Sequence, residues 1–490
     1  MLMPLVCDQW FLTQRRLTKD MTYKEQIVKI NAYEWMIPRN AREGMNVDGV
    51  IIANKEVLDG IEEDCLMQLT NVAMMPGIIN PVMAMPDAHF GYGLPMGSVA
   101  AFDLEKGVIS AGLCGFDINC GINLIRTNLT VKDIDEKKEE LVKALFKNIP
   151  CGVGSKGRLR LKEDELNEVL VKGINWALEK GYGCKEDVEK IEEHGCMAGA
   201  DPTKVSKLAK QRGLAQLGTL GAGNHFLEIE AVGEIYDKET ASKWGIKEKN
   251  QVFIMLHCGS RGLGHQVATD YLKLQEEAVQ KYGIKLADRQ LACAPVNSQE
   301  GKDYYAAMVG AVNYSFTNRW IMTHWIRESF EQVFGKKWQE MDMYTLYGLC
   351  HNVVKKEEHI IEGKKKMVLV HRKGATRAFP NIPVLLPGSM GTASYILVGT
   401  ETAMTKTFGS SAHGAGRAMS RNAAISRFRG QEISKELFAK GIMAKATSWE
   451  VLAEEAPKAY KDVDAVVESV DGSGISKKVA KMIPIAVVKG

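Results

Sequence analysis

Along residues 135–213 apolar side chains recur every three or four positions, the spacing of helices that bury one stripe. Leu141, Leu145 and Ile149 share a face around Asp135–Asn148, and Lys162–Lys180 and Pro202–Leu214 repeat the pattern. The same period predicts helices over about Gln266–Tyr282 and Lys302–Phe334. Between these lie short β-rich runs: Ser98–Asp103, Ile122–Asn128, Phe226–Val232, Val252–Leu256, Met367–His371 and Ile396–Val398. The elements interleave without a regular β-α-β beat, and no repeat, low-complexity tract or Pro/Ser linker divides the chain. The expected fold class is mixed α/β (α+β), a single large compact domain over 21–490. Residues 1–20 fit the pattern poorly and Met21 offers a start of its own, so 1–20 read as an extension, an overcalled start or a disordered one. The apolar run Met482–Gly490 predicts a strand docked into the body rather than a frayed end.

Composition narrows the picture. Hydrophobic residues at 45% and charged residues at 25% exclude a disordered or fibrous chain. With 63 Lys+Arg against 60 Asp+Glu there is no global field for gripping nucleic acid, so a polyanion site must come from local clusters. No apolar run approaches the ~18 residues that span a bilayer. The first residues lack the basic segment of a secretory signal. Ten scattered cysteines without a C-x-x-C pair predict reduced thiols, hence a cytoplasmic protein.

Candidate chemistry gathers in glycine loops beside predicted strands, where backbone N–H groups can approach a ligand. These are Pro86–Gly93, Gly115–Gly121, Gly218–Phe226, His257–Gly262, Leu349–Asn352 and Ser411–Arg417. Asp117 and Cys120 can offer a carboxylate and a thiolate to a metal, and His225, His257 and His351 occupy matching positions at strand ends. One Asp, one Cys and three His suit a divalent transition metal, or two ions sharing the thiolate; on softness alone the choice falls on zinc or cobalt. His413 precedes Gly-Ala-Gly-Arg and a predicted helix over Ala418–Phe428, a setting that suits phosphate and a histidine nucleophile, or else a plain helix cap. His324 reads as core or surface, and His194 and His359 as solvent-facing. The basic runs Lys156–Lys162 and Lys364–Lys366 read as solvated faces, the first able also to track RNA. His371–Arg377 reads as a phosphate-binding loop. Residue chemistry alone fits a dinuclear phosphohydrolase best; a non-catalytic RNA-binding protein would not need so many potential ligands.

The strings GFDINCG, LGTLGAGNHFLE, HCGSRGLGHQ, HRKGATRAFP, PGSMGTASY, AHGAGRAMSR and the terminal VVKG resemble the RtcB family of RNA-splicing ligases. The resemblance is collinear from about residue 25 to Gly490; Ala111-Gly112-Leu113-Cys114 departs from the usual Gly-Gly-Val-Gly just before the intact Asp and Cys. It implies a GTP- and manganese-dependent ligase. Such an enzyme joins RNA 2′,3′-cyclic phosphate or 3′-phosphate ends to 5′-hydroxyl ends, as in tRNA splicing and RNA repair. His413 would carry GMP, and two manganese ions would sit on Asp117, Cys120, His225, His257 and His351, with Cys120 bridging; this displaces zinc. The implied guanylate contacts are Asn224, His225, Phe226, Leu227, Glu228, His351, Asn352, Pro387, Gly388, Ser389, Met390, Ser394, His413, Gly414, Ala415, Gly416, Tyr460 and Lys489. Glu228 and Lys489 would meet the guanine edge, Tyr460 would stack on the base, and removing Lys489 would leave thermal stability close to wild type. Arg212, Arg417 and Arg421 would hold RNA phosphates. Whether an activating protein of the Archease type is needed stays open.

Overall fold

The computed structural model describes residues 22–490; the extension assigned to residues 1–20 lies outside them. Two large sheets organise the mixed α/β fold. The first runs, edge to edge, Val28–Lys29, Glu34–Ile37, Gly49–Ile52, Ile78–His89, Met96–Asp103, Lys364–Lys373, Asn352–Ile361. The second runs Thr345–Cys350, Gly121–Thr130, Gln251–Cys258, Phe226–Ile235, Ser476–Lys489, Ser394–Gly399, Pro383–Leu386. Met443–Ala446 joins the second sheet beside Ser476–Lys489, in parallel. The C-terminal run is therefore docked as expected, and as an interior strand between Phe226–Ile235 and Ser394–Gly399.

The longest helix, Gln299–Phe334, starts where the Ser298 hydroxyl accepts the Gly301 N–H and stops at Gly335, whose φ of +67° suits a residue without Cβ. Tyr314, Trp320, Trp325 and Phe330 bury it in the main core. The helix also carries a polar ridge. Ser315, Asn318 and Arg319, spaced to share one face, are all fully buried. Such groups persist in a core only when bonded. Ser315 Oγ donates to Asn119 O, Arg319 to Asn119 O and Cys258 O, and Asn318 to Thr219 O and Gly259 O. One helix face thus pins three of the glycine loops.

Several expectations need correcting. The helix over 162–180 breaks at Gly173, where φ is +56°, and 202–214 divides into Pro202–Lys204 and Lys207–Gly213. His359 is buried, not solvent-facing, because its Nε2 lies 3.2 Å from the Glu357 carboxylate. Residues His371–Arg377 form strands rather than a phosphate loop. Arg372 forks onto Glu357 with two 2.8 Å bonds, and Arg377 pairs with Glu192, Glu193 and Glu357, so both charges are already matched. Charge spacing along a sequence does not reveal carboxylates brought in from a neighbouring strand. The nine cysteines among the described residues are free thiols. Among those residues no helix is long and apolar enough to cross a membrane.

Candidate active site

Strand register gathers the predicted ligands. Gly121 pairs with Cys258 on one side and Cys350 on the other, while Phe226 pairs with His257. Cys120, His225, His257 and His351 consequently lie at one end of four neighbouring strands. Two triads result, Asp117–Cys120–His225 and Cys120–His257–His351, each with its ligand atoms within 4.8 Å of one another. Cys120 belongs to both. Its sulfur is 3.1 Å from His257 Nε2 and 3.5 Å from His225 Nε2, and His257 Nε2 is 3.3 Å from His351 Nε2. His225 Nε2 lies 2.8 Å from Asp117 Oδ2, with Nδ1 turned to Leu220 O at 3.0 Å.

The electrostatics are compatible with a site that takes cations. Burial and the Asp117 charge push the Cys120 thiol up to about 12, so a cation must displace its proton to gain the thiolate. Burial, together with the neighbouring imidazoles, holds His257 and His351 well below the usual range, in the neutral form that ligates metal. Withdrawal from solvent opposes ionisation of Asp117, but His225 and the Arg261 guanidinium outweigh it and keep the carboxylate charged. Gly259 has to be glycine here: a Cβ would stand 2.2 Å from Asp117 Oδ1.

His413 follows Ser410–Ala412, a strand paired with Ala375–Arg377, and its ring centroid is 4.7 Å from that of His351. The helix expected from Ala418 begins at Arg421, eight positions beyond His413, so His413 does not lead directly into its first turn. A carboxylate faces it instead. Asp87 is wholly buried; its Oδ2 lies 2.6 Å from His413 Nδ1 and accepts the His413 and Gly414 N–H groups at 3.0 and 3.3 Å. Asp87 was missed by sequence reasoning, although the loop Pro86–Gly93 that carries it was noticed. The available signal was an Asp at a buried strand end two residues before a His.

One pocket adjoins these groups. Asn224, Phe226, Pro387–Met390, His413–Gly416, Tyr460 and Lys489 line it, with His89, His257, Arg417 and Glu455. The remaining expected guanylate contacts stand elsewhere. Leu227 packs in the main core, and Ser394 Oγ accepts the Gly388 N–H behind the wall. Glu228 is buried beside Glu230, and burial with that neighbour raises its pKa well above the usual range. Asn352 acts as a brace, donating to Asp117 O at 3.0 Å and accepting the Gly374 N–H at 2.8 Å.

Glu455 is a further residue that sequence reasoning missed. Its carboxylate receives Lys489 Nζ at 2.8 Å, Arg417 at 3.0 Å and the Tyr460 hydroxyl. Lys489 also donates to Gly223 O at 2.9 Å. Burial opposes ionisation of Glu455, but Lys489, Tyr460 and Arg417 overcome it and hold the carboxyl down at about 2. Lys489 is therefore a buried ion-pair partner, and stability close to wild type after its removal is no longer expected. Of the arginines assigned to RNA, Arg417 is tied to Glu455, Tyr460 and the Glu454 and Met419 carbonyls. Arg421 stays 54% exposed while touching Glu454 and Asn224. Arg212 is exposed on Lys207–Gly213, away from the pocket wall.

The family model described as tRNA-splicing ligase RtcB matches residues 68–490. A relative so named from Methanococcus maripaludis is 51% identical over 480 residues, covering 95% of this chain and 100% of its own. Relatives of the same name from Archaeoglobus fulgidus and Thermococcus kodakarensis are 50% and 51% identical over 475 and 476 residues. Each covers 94% of this chain and 98% of its own.

Proposed function

The chain belongs to the tRNA-splicing ligase RtcB family, and we propose that it joins RNA 2′,3′-cyclic phosphate or 3′-phosphate ends to 5′-hydroxyl ends, using GTP and manganese, through guanylate carried on His413. The observation that carries this reading is the Asp87–His413 pair beside two overlapping ligand triads that share Cys120.

Asp87 receives the Nδ1 proton of His413, which leaves the Nε2 lone pair free. Attack by Nε2 on the α-phosphorus of GTP forms an N–P bond and expels pyrophosphate. An RNA 3′-phosphate oxygen then attacks the same phosphorus, releasing His413 and leaving a 3′-diphosphate-linked guanosine. The 5′-hydroxyl oxygen of the second RNA attacks the RNA phosphorus, and GMP departs. A cyclic phosphate is first opened by water. Asp117, Cys120, His225, His257 and His351 would hold two manganese ions, and their buried mixed N/O/S donor set fits that use; the ions would neutralise charge on the phosphate oxygens. Asn224, Phe226, Pro387–Met390, Gly414–Gly416, Tyr460 and Lys489 would wall the guanylate, and Arg421 would meet the RNA backbone. RNA is the partner this reading requires, and the cytoplasm its setting.

The test is incubation with α-labelled GTP and manganese, followed by denaturing electrophoresis. Label should stay on the wild-type protein and be lost on His413→Ala without loss of metal. Full labelling of His413→Ala would end the assignment, and sealing of 5′-phosphate to 3′-hydroxyl ends with ATP would end the proposed polarity.

A further inference from the structure

On the pocket wall, Glu455, Tyr460, Arg417 and Lys489 are bonded among themselves, His257 belongs to a ligand triad and His413 is the nucleophile. His89 is left without a task. It ends the strand Ile78–His89 two residues after Asp87, and its side chain lines the pocket together with His413, the residue Asp87 holds. Met96, its partner across the sheet, lines the same pocket.

The ring is oriented and its protons are assigned by geometry. His89 Nδ1 is 3.0 Å from Asp87 O, an atom that can only accept. Nδ1 therefore carries the proton and Nε2 the lone pair. Burial, with the nearby Lys461 charge, pushes His89 down to about 4 against the pull of the Asp87 carbonyl, so the ring is neutral. RNA phosphates entering the pocket add negative charge and raise its basicity toward the working range. Among the proposed steps that join the two RNAs, the attack of the 5′-hydroxyl releases a proton that has no taker among the residues assigned above.

Resting on the ligase reading, we infer that His89 is a further catalytic residue, whose Nε2 takes the proton of the RNA 5′-hydroxyl as that oxygen attacks the activated 3′ phosphorus. The O5′–P bond forms and the P–O bond to GMP breaks. GMP keeps that electron pair, and His89 later returns its proton to water.

The experiment separates three rates in His89→Asn, which keeps a donor for Asp87 O, and in His89→Ala. These are uptake of labelled GMP without RNA, conversion of a 3′-phosphate RNA to its guanylylated form, and sealing of that form to a 5′-hydroxyl RNA. The first two should stay within about threefold of wild type, while sealing falls by about 10²- to 10⁴-fold, the usual worth of a general base. Guanylylated RNA should accumulate, and added imidazole should restore part of the sealing by His89→Ala. Normal sealing by a label-competent His89→Asn overturns the inference alone. So does loss of GMP uptake in parallel with sealing, which would make His89 only a support for Asp87. Wild-type protein that takes no label would overturn the ligase reading and this inference with it.

Discussion

Replacing Asp87 with Asn changes one charge and almost no volume, and so isolates what the carboxylate does for His413. Oδ2 serves three donors: the ring Nδ1 at 2.6 Å and two backbone N–H groups at 3.0 and 3.3 Å. An amide oxygen can still accept from the backbone, so the loop should keep its course. What goes is the charge opposite an imidazole that, in the proposed mechanism, becomes cationic as Nε2 bonds to phosphorus. A hydrogen bond to a charged group is worth about 1.5–3 kcal/mol, and with Asp87 wholly buried and His413 only 12% exposed the upper half of that range applies. At about 1.4 kcal/mol per decade, the rate of GMP attachment should fall by roughly 40- to 140-fold. The loss belongs to the rate and not to GTP binding, since the amide keeps the backbone bonds that place the pocket-lining His413 and Gly414. The assay is single-turnover uptake of labelled GMP across a GTP titration, with metal content and thermal melts as controls. A rate within twofold of wild type, or a loss cured by more GTP, would refute the reasoning.

Cys120→Ser should cost metal in both triads at once, since Cys120 is common to them; metal analysis showing undiminished manganese beside Cys293→Ser would sink the shared role. Gly259→Ala should drive the Asp117 carboxylate aside, because its Cβ would lie 2.2 Å from Oδ1; unchanged metal content with unchanged GMP uptake would disprove that. Lys489→Ala removes one of the two cations paired with buried Glu455, leaving Arg417 and the Tyr460 hydroxyl, and should cost about 1.5–3 kcal/mol in denaturant unfolding, besides weakening GTP use. Because the Glu455 carboxyl is held at about 2 in the fold, below its ordinary 4.5, its stabilisation is present above 4.5 and fades as pH falls toward 2. Melting curves of Lys489→Ala against pH should show a shallower acid limb, because Arg417 and Tyr460 remain on Glu455, and curves parallel to wild type would contradict it.

The legible part of this molecule was the part written locally. Period and β-branched runs located strands such as Phe226–Ile235 and Gln251–Cys258, and the glycine loops at their ends marked five residues that register then brought together. Metal-type residues at like ends of adjacent strands must converge, whatever the rest of the topology, because strands stand only ~5 Å apart. Gly173 and the break before Lys207 were misread because apolar spacing continues across an interruption that only the backbone reveals.

The illegible part was written in pairs of distant residues. Asp87 and His413 are 326 positions apart, and Glu455 and Lys489 lie on separate elements; nothing beside either member announces the other. The same blindness acted in reverse at Arg372 and Arg377, where a basic cluster suggested a vacancy for phosphate although Glu192, Glu193 and Glu357 already filled it. A buried charge needs its partner, and the partner comes from wherever the topology delivers it. A sequence can therefore nominate the groups that do chemistry, since reactive side chains sit in recognisable loops. It is much poorer at nominating the groups that orient them. In this fold that second set, Asp87, Glu455, Arg319 and Asn318, is buried, drawn from segments remote from the loops it orients and held to them by hydrogen bonds. Substitutions there should change rates and stability while leaving every residue of the motifs in place.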